Sequence, residues 1–278
     1  MITSTANPRV KNLIQLQKKG KVRKEQQCFV VEGIKMVLEA PPERLRAVYM
    51  SESFAKDEKQ REAVAEKAKT AGCFSEVLSD KVFKEASDTM TPQGVMAVVS
   101  MDLLRWEILA AGGAAKKASD WGQRNRRLFL VLESLQDPGN LGTILRTGEG
   151  AGVDGVILNR TSVEPYMPKV IRSTMGSIYR VPVAVAEDLT EVVSNLRSSG
   201  VRVFAAHLKG KKSYFEQDYR GDTCFMIGNE ANGLSDALAK MATDYIRIPM
   251  SGQVESLNAG VAAALLMYEA KRQRMTVD

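Results

Sequence analysis

Three short stretches of this 278-residue chain concentrate the residue types from which a binding or reaction centre is built. Residues 136–152 read QDPGNLGTILRTGEGAG, residues 228–233 read GNEANG, and residues 248–258 read IPMSGQVESLN. They offer glycines, side-chain amides, carboxylates, one arginine and four hydroxyls, but no imidazole. The single histidine, His207, lies elsewhere, and a histidine-dependent zinc site would need partners that the chain lacks. Neither HExxH nor Cys-x-x-Cys is present, and no GxSxG elbow exists for a serine relay. His207 therefore reads as structural. No metal is expected. Cys28, Cys73 and Cys224 are far apart and odd in number, which suits a reducing compartment.

The run Gly148-Glu149-Gly150-Ala151-Gly152 is spelled like a nucleotide loop. Such a loop must follow a strand and open a helix, so that the helix N-terminus faces the ligand. This one follows the helical pattern Leu141, Ile144, Leu145 and precedes an apolar strand at 153–158, so it reads as a helix end closing into a turn. Lys209-Gly210-Lys211-Lys212-Ser213 ends like a phosphate loop, but Ala205 stands where its first glycine is required. The stretch that does follow a strand is 136–142, after the continuous apolar run Leu-Phe-Leu-Val-Leu at 128–132. Further strand signals fall at 181–185, 201–206, 224–227 and 245–248, with helical segments near 141–150, 189–198, 234–241 and 257–274. Alternating strands and helices predict an α/β fold with a mostly parallel sheet covered by helices. Ligands in such sheets bind at the carboxyl ends of strands, where 136–142, 228–233 and 248–258 all fall.

The front of the chain predicts a smaller α/β unit over 1–100. It has helix patterns at 8–20, 32–39 and 56–71, and strands at 28–31, 48–50, 77–78 and 95–99. Residues 101–127 read as a connector, leaving 128–278 as the second unit. The net charge of +6 is uneven: residues 1–100 hold 17 Lys and Arg against 13 Asp and Glu, whereas 128–278 hold 16 against 17. Seven basic side chains and no acidic one occupy the first 24 residues, including Lys18, Lys19, Lys21 and Arg23. Such a cluster is either a phosphate-binding surface or a solvated helix face. No apolar run approaches the length of a membrane span, and the N-terminal residues lack the apolar segment of a secretory signal, so a cytoplasmic location is expected.

Taken in order, DPGNLGTILRT, GNEANGL and IPMSGQVESLNAGVAAAL resemble the three motifs of the SpoU (TrmH-like) RNA ribose methyltransferases of the SPOUT superfamily. The likeness covers 128–278. Phe29-Val-Val-Glu-Gly33 and Pro92-Gln-Gly-Val95 are similar to the family's small L30e-like substrate-binding domain. The resemblance implies a deep trefoil knot, S-adenosylmethionine as methyl donor, and a ribose 2′-hydroxyl of structured RNA as acceptor. It implies a homodimer, for which the last helix with Leu265, Leu266 and Tyr268 is the candidate contact, and ribosomal RNA of the 23S type before transfer RNA. A non-catalytic RNA-binding protein on the same scaffold remains the other reading. It carries catalytic roles to Arg146, Asn140, Glu230, Ser256 and Asn258, with Asn140 orienting Arg146 from what is taken as the same helix face. It carries donor contacts to Gly228, Asn229, Gly233, Ile248, Met250 and Leu257. Asn140 and Ser256 read equally as helix caps.

Overall fold

The computed structural model describes residues 1–111, 126–254 and 256–275. Its contacts divide the chain into two compact units. The first comprises Met1–Met101 together with Glu164–Tyr179. Its sheet has four strands in the order β1 (Cys28–Glu32), β4 (Val95–Ser100), β2 (Leu45–Ser51), β3 (Phe74–Leu78). The first two pairings are antiparallel and the last is parallel. Helix α1 (Pro8–Lys18) starts where the Asn7 side chain accepts from Arg9 N and Pro8 presets the first turn. Its Val10, Leu13 and Leu16 recur at helical spacing and are buried beside Val82 and Phe83 of α5 (Asp80–Ala86), a helix the sequence patterns did not mark. The expected helix over 8–20 is in fact two pieces. The chain turns extended at Lys19 and resumes as α2 (Gly20–Gln26). Helices α3 (Ile34–Glu39) and α4 (Glu58–Thr70) follow the patterns read from sequence.

The segment 164–179 folds with these residues through side-chain contacts. Tyr166 packs on Phe29 with ring centroids 4.6 Å apart, and the Tyr179 hydroxyl donates to Met36 O at 3.0 Å. Arg23 Nε and Nη2 donate to the two Glu164 oxygens at 2.8 and 2.7 Å, and its Nη1 donates to Leu16 O and Gln17 O. Helix α8 (Pro168–Thr174), also unmarked by the sequence patterns, buries Val170 and Ile171.

The second unit comprises Asp102–Val163 and Arg180–Asp278. Its sheet has eight strands in the order β10 (Lys212–Ser213), β12 (Asp244–Arg247), β9 (Arg202–Ala206), β11 (Thr223–Ile227), β6 (Leu128–Leu132), β7 (Gly155–Asn159), β8 (Val183–Ala186), β5 (Leu103–Leu104). Every pairing is parallel. The mostly parallel α/β sheet is therefore as expected, and its central strands are buried on both faces. Within the expected connector, Leu103 and Leu104 form the edge strand, and α6 (Trp106–Ala110) buries Leu109 and Ala110 in the core. The rest of that connector, 112–125, lies outside the described residues.

The strand order reverses at β6: the next two strands, β7 and β8, run out along one side, and β9, β11 and β12 build the other. The turns after β6 and β11 therefore flank a topological switch point, where ligands of parallel sheets bind. Helix α7 (Pro138–Ala151) leaves the first turn, α9 (Leu189–Ser198) covers one face, and α10 (Asp236–Ala239) follows the second turn. The final helix, α11 (Ala259–Met275), lies along α7. Within the glycine run 148–152, Gly150 serves that packing. A Cβ at Gly148 would sit 3.6 Å from Met267 Sδ, and one at Gly150 would sit 2.9 Å from the Tyr268 hydroxyl. Gly152, at φ 84° and ψ 41°, ends α7 in the left-handed conformation, its N–H donating to Gly148 O and Glu149 O.

Candidate functional site

Glu230 ties two strand-end turns together. Its carboxylate accepts from Gln136 N at 3.1 Å, Asp137 N at 3.0 Å and Asn140 Nδ2 at 2.9 Å. Asn140 is 7% exposed and uses both ends of its amide, for its Oδ1 accepts from Asn258 Nδ2 at 2.7 Å. Asn258 Oδ1 in turn accepts from Gly260 N and Val261 N at the start of α11. A continuous polar chain thus runs from the N-terminus of α11 through Asn258, Asn140 and Glu230 to the main chain of 136 and 137. It joins the turns after β6, β11 and β12. Burial pushes the Glu230 carboxyl up. The bonds from Asn140, Asp137 and Gln136 outweigh that and hold it below the ordinary glutamate value. At neutral pH Glu230 is an anion that anchors.

The capping roles fall on other residues than expected. Asp137 caps α7, accepting from Asn140 N at 2.9 Å, and Pro138 occupies the first turn. Asn258, rather than Ser256, caps α11; Ser256 is exposed and makes no hydrogen bond among the described residues. Arg146 is also apart from the polar chain. Six residues at about 100° each turn roughly 600°, which is 240° around the helix, so Arg146 leaves α7 on a different face from Asn140. Asn140 is buried, Arg146 is exposed, and no hydrogen bond joins them. Arg146 does not pair with Glu149 on the surface either. Glu149 is held by Arg180 at 2.5 Å, and Arg146 has no partner among the described residues.

Around Gly228 the chain closes on itself. Asn229 and Gly233 exchange two main-chain hydrogen bonds, and a Cβ on Gly228 would lie 2.0 Å from Gly233 C. The close approach that this glycine permits is that of its own backbone. Asn229 Nδ2 donates to Ser134 O at 2.8 Å, while its Oδ1 accepts from Ala231 N and Asn232 N. Ile248, Met250 and Leu257 are half-buried at the ends of the third loop. The described residues from Pro249 to Leu257 make no main-chain hydrogen bond among themselves or to others. Main-chain N–H and C=O groups beside half-buried apolar side chains suit a purine: the edges pair with main chain and the faces are covered. The residues present therefore fit the adenosyl end of a methyl donor.

Sequence reasoning missed a supporting layer. Ser134, at φ 54°, is fixed by Asn159, whose Oδ1 accepts Ser134 N and whose Nδ2 donates to Ser134 Oγ. Gln136 Nε2 donates to Ser134 O and Thr161 O, and Glu133 accepts from both Ser235 N and Ser235 Oγ. Asp137-Pro138, a cap followed by a first-turn proline, is a local signal that the sequence reading passed over in favour of Asn140. In the first unit Lys18, Lys19 and Lys21 are exposed, but Arg23 is not of their group. It is 3% exposed and committed to Glu164.

His207 Nδ1 accepts from Lys209 N at 3.0 Å, and its ring meets Tyr245 edge-on at 5.4 Å, away from the polar chain. Cys224 lies in the core, where burial pushes its thiol up. No group of three potential metal ligands occurs among the described residues, and none of their helices is long and apolar enough to cross a membrane.

Comparison with known proteins agrees with this geometry. Residues 127–268 match the SpoU rRNA Methylase family, and residues 7–97 match the MRM3-like substrate binding domain. The chain is 32% identical to the 23S rRNA (guanosine(2553)-2′-O)-methyltransferase RlmP of Bacillus subtilis, over 97% of this chain and 98% of that one. Among solved structures, the AdoMet-bound rRNA methyltransferase of Sinorhizobium meliloti superposes with a TM-score of 0.84 at 30% identity, covering 98% and 97% of the two chains. The SpoU methyltransferase AviRb of Streptomyces viridochromogenes with AdoMet gives 0.81 at 25% identity, covering 97% and 99%.

Proposed function

The chain belongs to the SpoU rRNA methylase family, and from that premise we propose that it methylates a ribose 2′-hydroxyl of structured RNA from S-adenosylmethionine, acting in the cytoplasm. The RNA is of the 23S ribosomal type before transfer RNA, as the activity of the RlmP relative suggests. The observation that carries the reading is the polar chain Asn258–Asn140–Glu230. It ties the three loops bearing the family motifs at the carboxyl ends of parallel strands.

The donor, when bound, supplies a methyl group activated by its sulfonium. Gly228, Asn229 and Gly233 would hold it at the turn after β11, and Ile248, Met250 and Leu257 would supply apolar contacts for its adenine. The chain's own task is to align the hydroxyl and polarise or remove its proton. Glu230 is engaged with three donors and held as an anion, so it fixes the loops. Asn140 and Asn258 hold the same loops. Arg146, exposed and unclaimed, is the group left to engage the ribose or its phosphate, with Ser256 beside the third loop as a further polar contact. A guanidinium offers a planar fork of donors, so a clamp suits it better than a base. The C-terminal backbone carries the family's knot.

Labelled-donor transfer to total RNA from a host lacking this protein tests the reading, with nuclease mapping of the labelled ribose. The expected label falls on one ribosomal nucleotide. A folded protein that binds donor yet labels no RNA would return the chain to the non-catalytic class.

The second-order proposal is a two-fold dimer through α11. Val261, Tyr268 and Met275 are exposed at seven-residue spacing, with half-buried Leu265 between them. Leu266 is buried in its own core and is no part of that stripe. Light scattering at micromolar concentration should report a dimer, and Tyr268→Glu should shift it to monomer. A monomeric parent removes the proposal.

A further inference from the structure

The lysine loop 209–212, which failed as a phosphate loop by sequence, lies over a hollow of about 450 Å³ in the second unit. His207, Lys209, Lys211, Lys212, Gln217 and Tyr245 line it beside the carboxylates of Asp236 and Asp244, and none of the strand-end loops bearing Gly228, Ile248 or Leu257 does. We propose that this hollow is a second RNA contact of the protein, taking phosphodiester groups of the substrate strand away from the reacting ribose. The proposal rests on the RNA reading above.

The loop is held rigidly. Gly210 N donates to His207 O at 2.9 Å, and Lys212 and Ser213 pair with Ile246 and Arg247 of β12. A Cβ on Gly210 would lie 2.7 Å from Ile246 C and 2.9 Å from Arg247 N. Only glycine lets the chain press onto β12 there, so the three ammonium groups project from a fixed rim. Their charge is poorly matched. Asp244 is held by Arg202 at 3.0 Å, and Asp236 meets Lys209 only at 3.9 Å, with both side chains well exposed. Lys211 and Lys212 have no carboxylate partner among the described residues. Because 128–278 is close to neutral as a whole, this positive patch is local.

A second observation points the same way. Gln217 is 7% exposed, and its Nε2 is buried without an acceptor among the described residues. A buried donor left unmet is rare and asks for an explanation. His207 adds a donor, since an Nδ1 that accepts leaves Nε2 to carry the proton in the neutral ring. Ammonium groups, an amide and an imidazole N–H line the hollow, Asp244 is already held by Arg202, and the remaining carboxylate, Asp236, is exposed to solvent, which selects an oxygen-rich, multiply charged anion. Gln217 also lines a neighbouring hollow of about 410 Å³ that carries the exposed Phe215. Two adjoining hollows, one cationic and one with an aromatic face, suit successive nucleotides of a strand better than a single small anion.

The test uses the full chain carrying Lys209→Gln, Lys211→Gln and Lys212→Gln together, with Lys59→Gln, Lys67→Gln and Lys69→Gln on α4 as the charge-matched control. Equilibrium binding to a 23S-type ribosomal RNA transcript is measured across salt concentrations, with donor calorimetry alongside. The triple variant should bind RNA at least tenfold more weakly, with the log–log salt slope reduced by about 2 to 3, since each phosphate contact contributes about 0.7–0.9. Donor affinity and the control should stay at the parent's values. RNA affinity and slope equal to the parent's would overturn the proposal. So would loss of inorganic pyrophosphate binding with RNA affinity intact, because the hollow would then serve a free anion. A parent that binds RNA yet transfers no methyl group would instead count against the enzymatic reading alone.

Discussion

Arg146 leaves α7 exposed, and the carboxylate nearest in sequence, Glu149, is committed to Arg180. That commitment sharpens what its replacement reads. An exposed side chain without a partner contributes within about ±0.5 kcal/mol to stability, so Arg146→Ala should melt with the parent. Donor affinity should also hold, since the polar chain Asn258–Asn140–Glu230 does not include Arg146. Turnover should fall by about 100-fold or more, the scale of a lost acid–base or clamping group. Arg146→Lys should fail as well, because an ammonium cannot reproduce the planar fork. Full methyl transfer by Arg146→Ala would sink the assignment. At this scale the sequence was only partly legible. Asn140, Glu230 and Asn258 were marked as chemistry, and they meet in space because three loops converge. The caps went to Asp137 and Asn258, and the layer under Ser134 was invisible, because Ser134 and Asn159 meet only when β6 and β7 pair.

Among elements, the glycines separate packing from shaping. A Cβ on Gly148 meets Val153 at 3.4 Å and Met267 Sδ at 3.6 Å, ordinary contacts that a methyl group can make. Gly148→Ala should therefore keep donor binding and gain about 0.5–1 kcal/mol from helix propensity. Gly152→Ala should cost about 1 kcal/mol, because its φ of 84° is left-handed. Gly228→Ala should unmake the turn after β11 and lose donor binding, for its Cβ would lie 2.0 Å from Gly233 C. Calorimetry with S-adenosylmethionine and thermal melts of the three variants check this. Loss of donor binding in a stable Gly148→Ala would restore the glycine run as a ligand loop. The continuous apolar strands made the parallel sheet readable, because burial on both faces leaves no alternation. The edge strand at Leu103–Leu104 and helices α5 and α8 were not readable. They are short, and what holds them is packing against residues distant in the chain.

For the whole molecule, the proposed division of labour has a front unit that docks RNA and a back unit that reacts. Removing residues 1–100 looks like its direct test, and the structure argues against using it. The segment 164–179 buries Tyr166, Val170 and Ile171 within the first unit, and Glu164 meets Arg23, 141 positions earlier. Exposing those three apolar side chains costs roughly 4–9 kcal/mol at about 1.5–3 each. That rivals the 5–15 kcal/mol of a whole fold, so the shortened chain should aggregate instead of binding donor. Charge replacement in the full chain avoids this. Lys18, Lys19 and Lys21 are exposed, and Lys21 has only Glu25 at 3.8 Å, whereas Arg23 must be left in place because its loss would strand Glu164. Lys18→Gln, Lys19→Gln and Lys21→Gln together should leave the melting temperature and donor affinity unchanged. If the three contact phosphates, the log–log salt slope of RNA binding should shrink by about 2 to 3. An unchanged slope in this folded, donor-binding variant would make the cluster a solvated helix face and move RNA docking elsewhere on the protein.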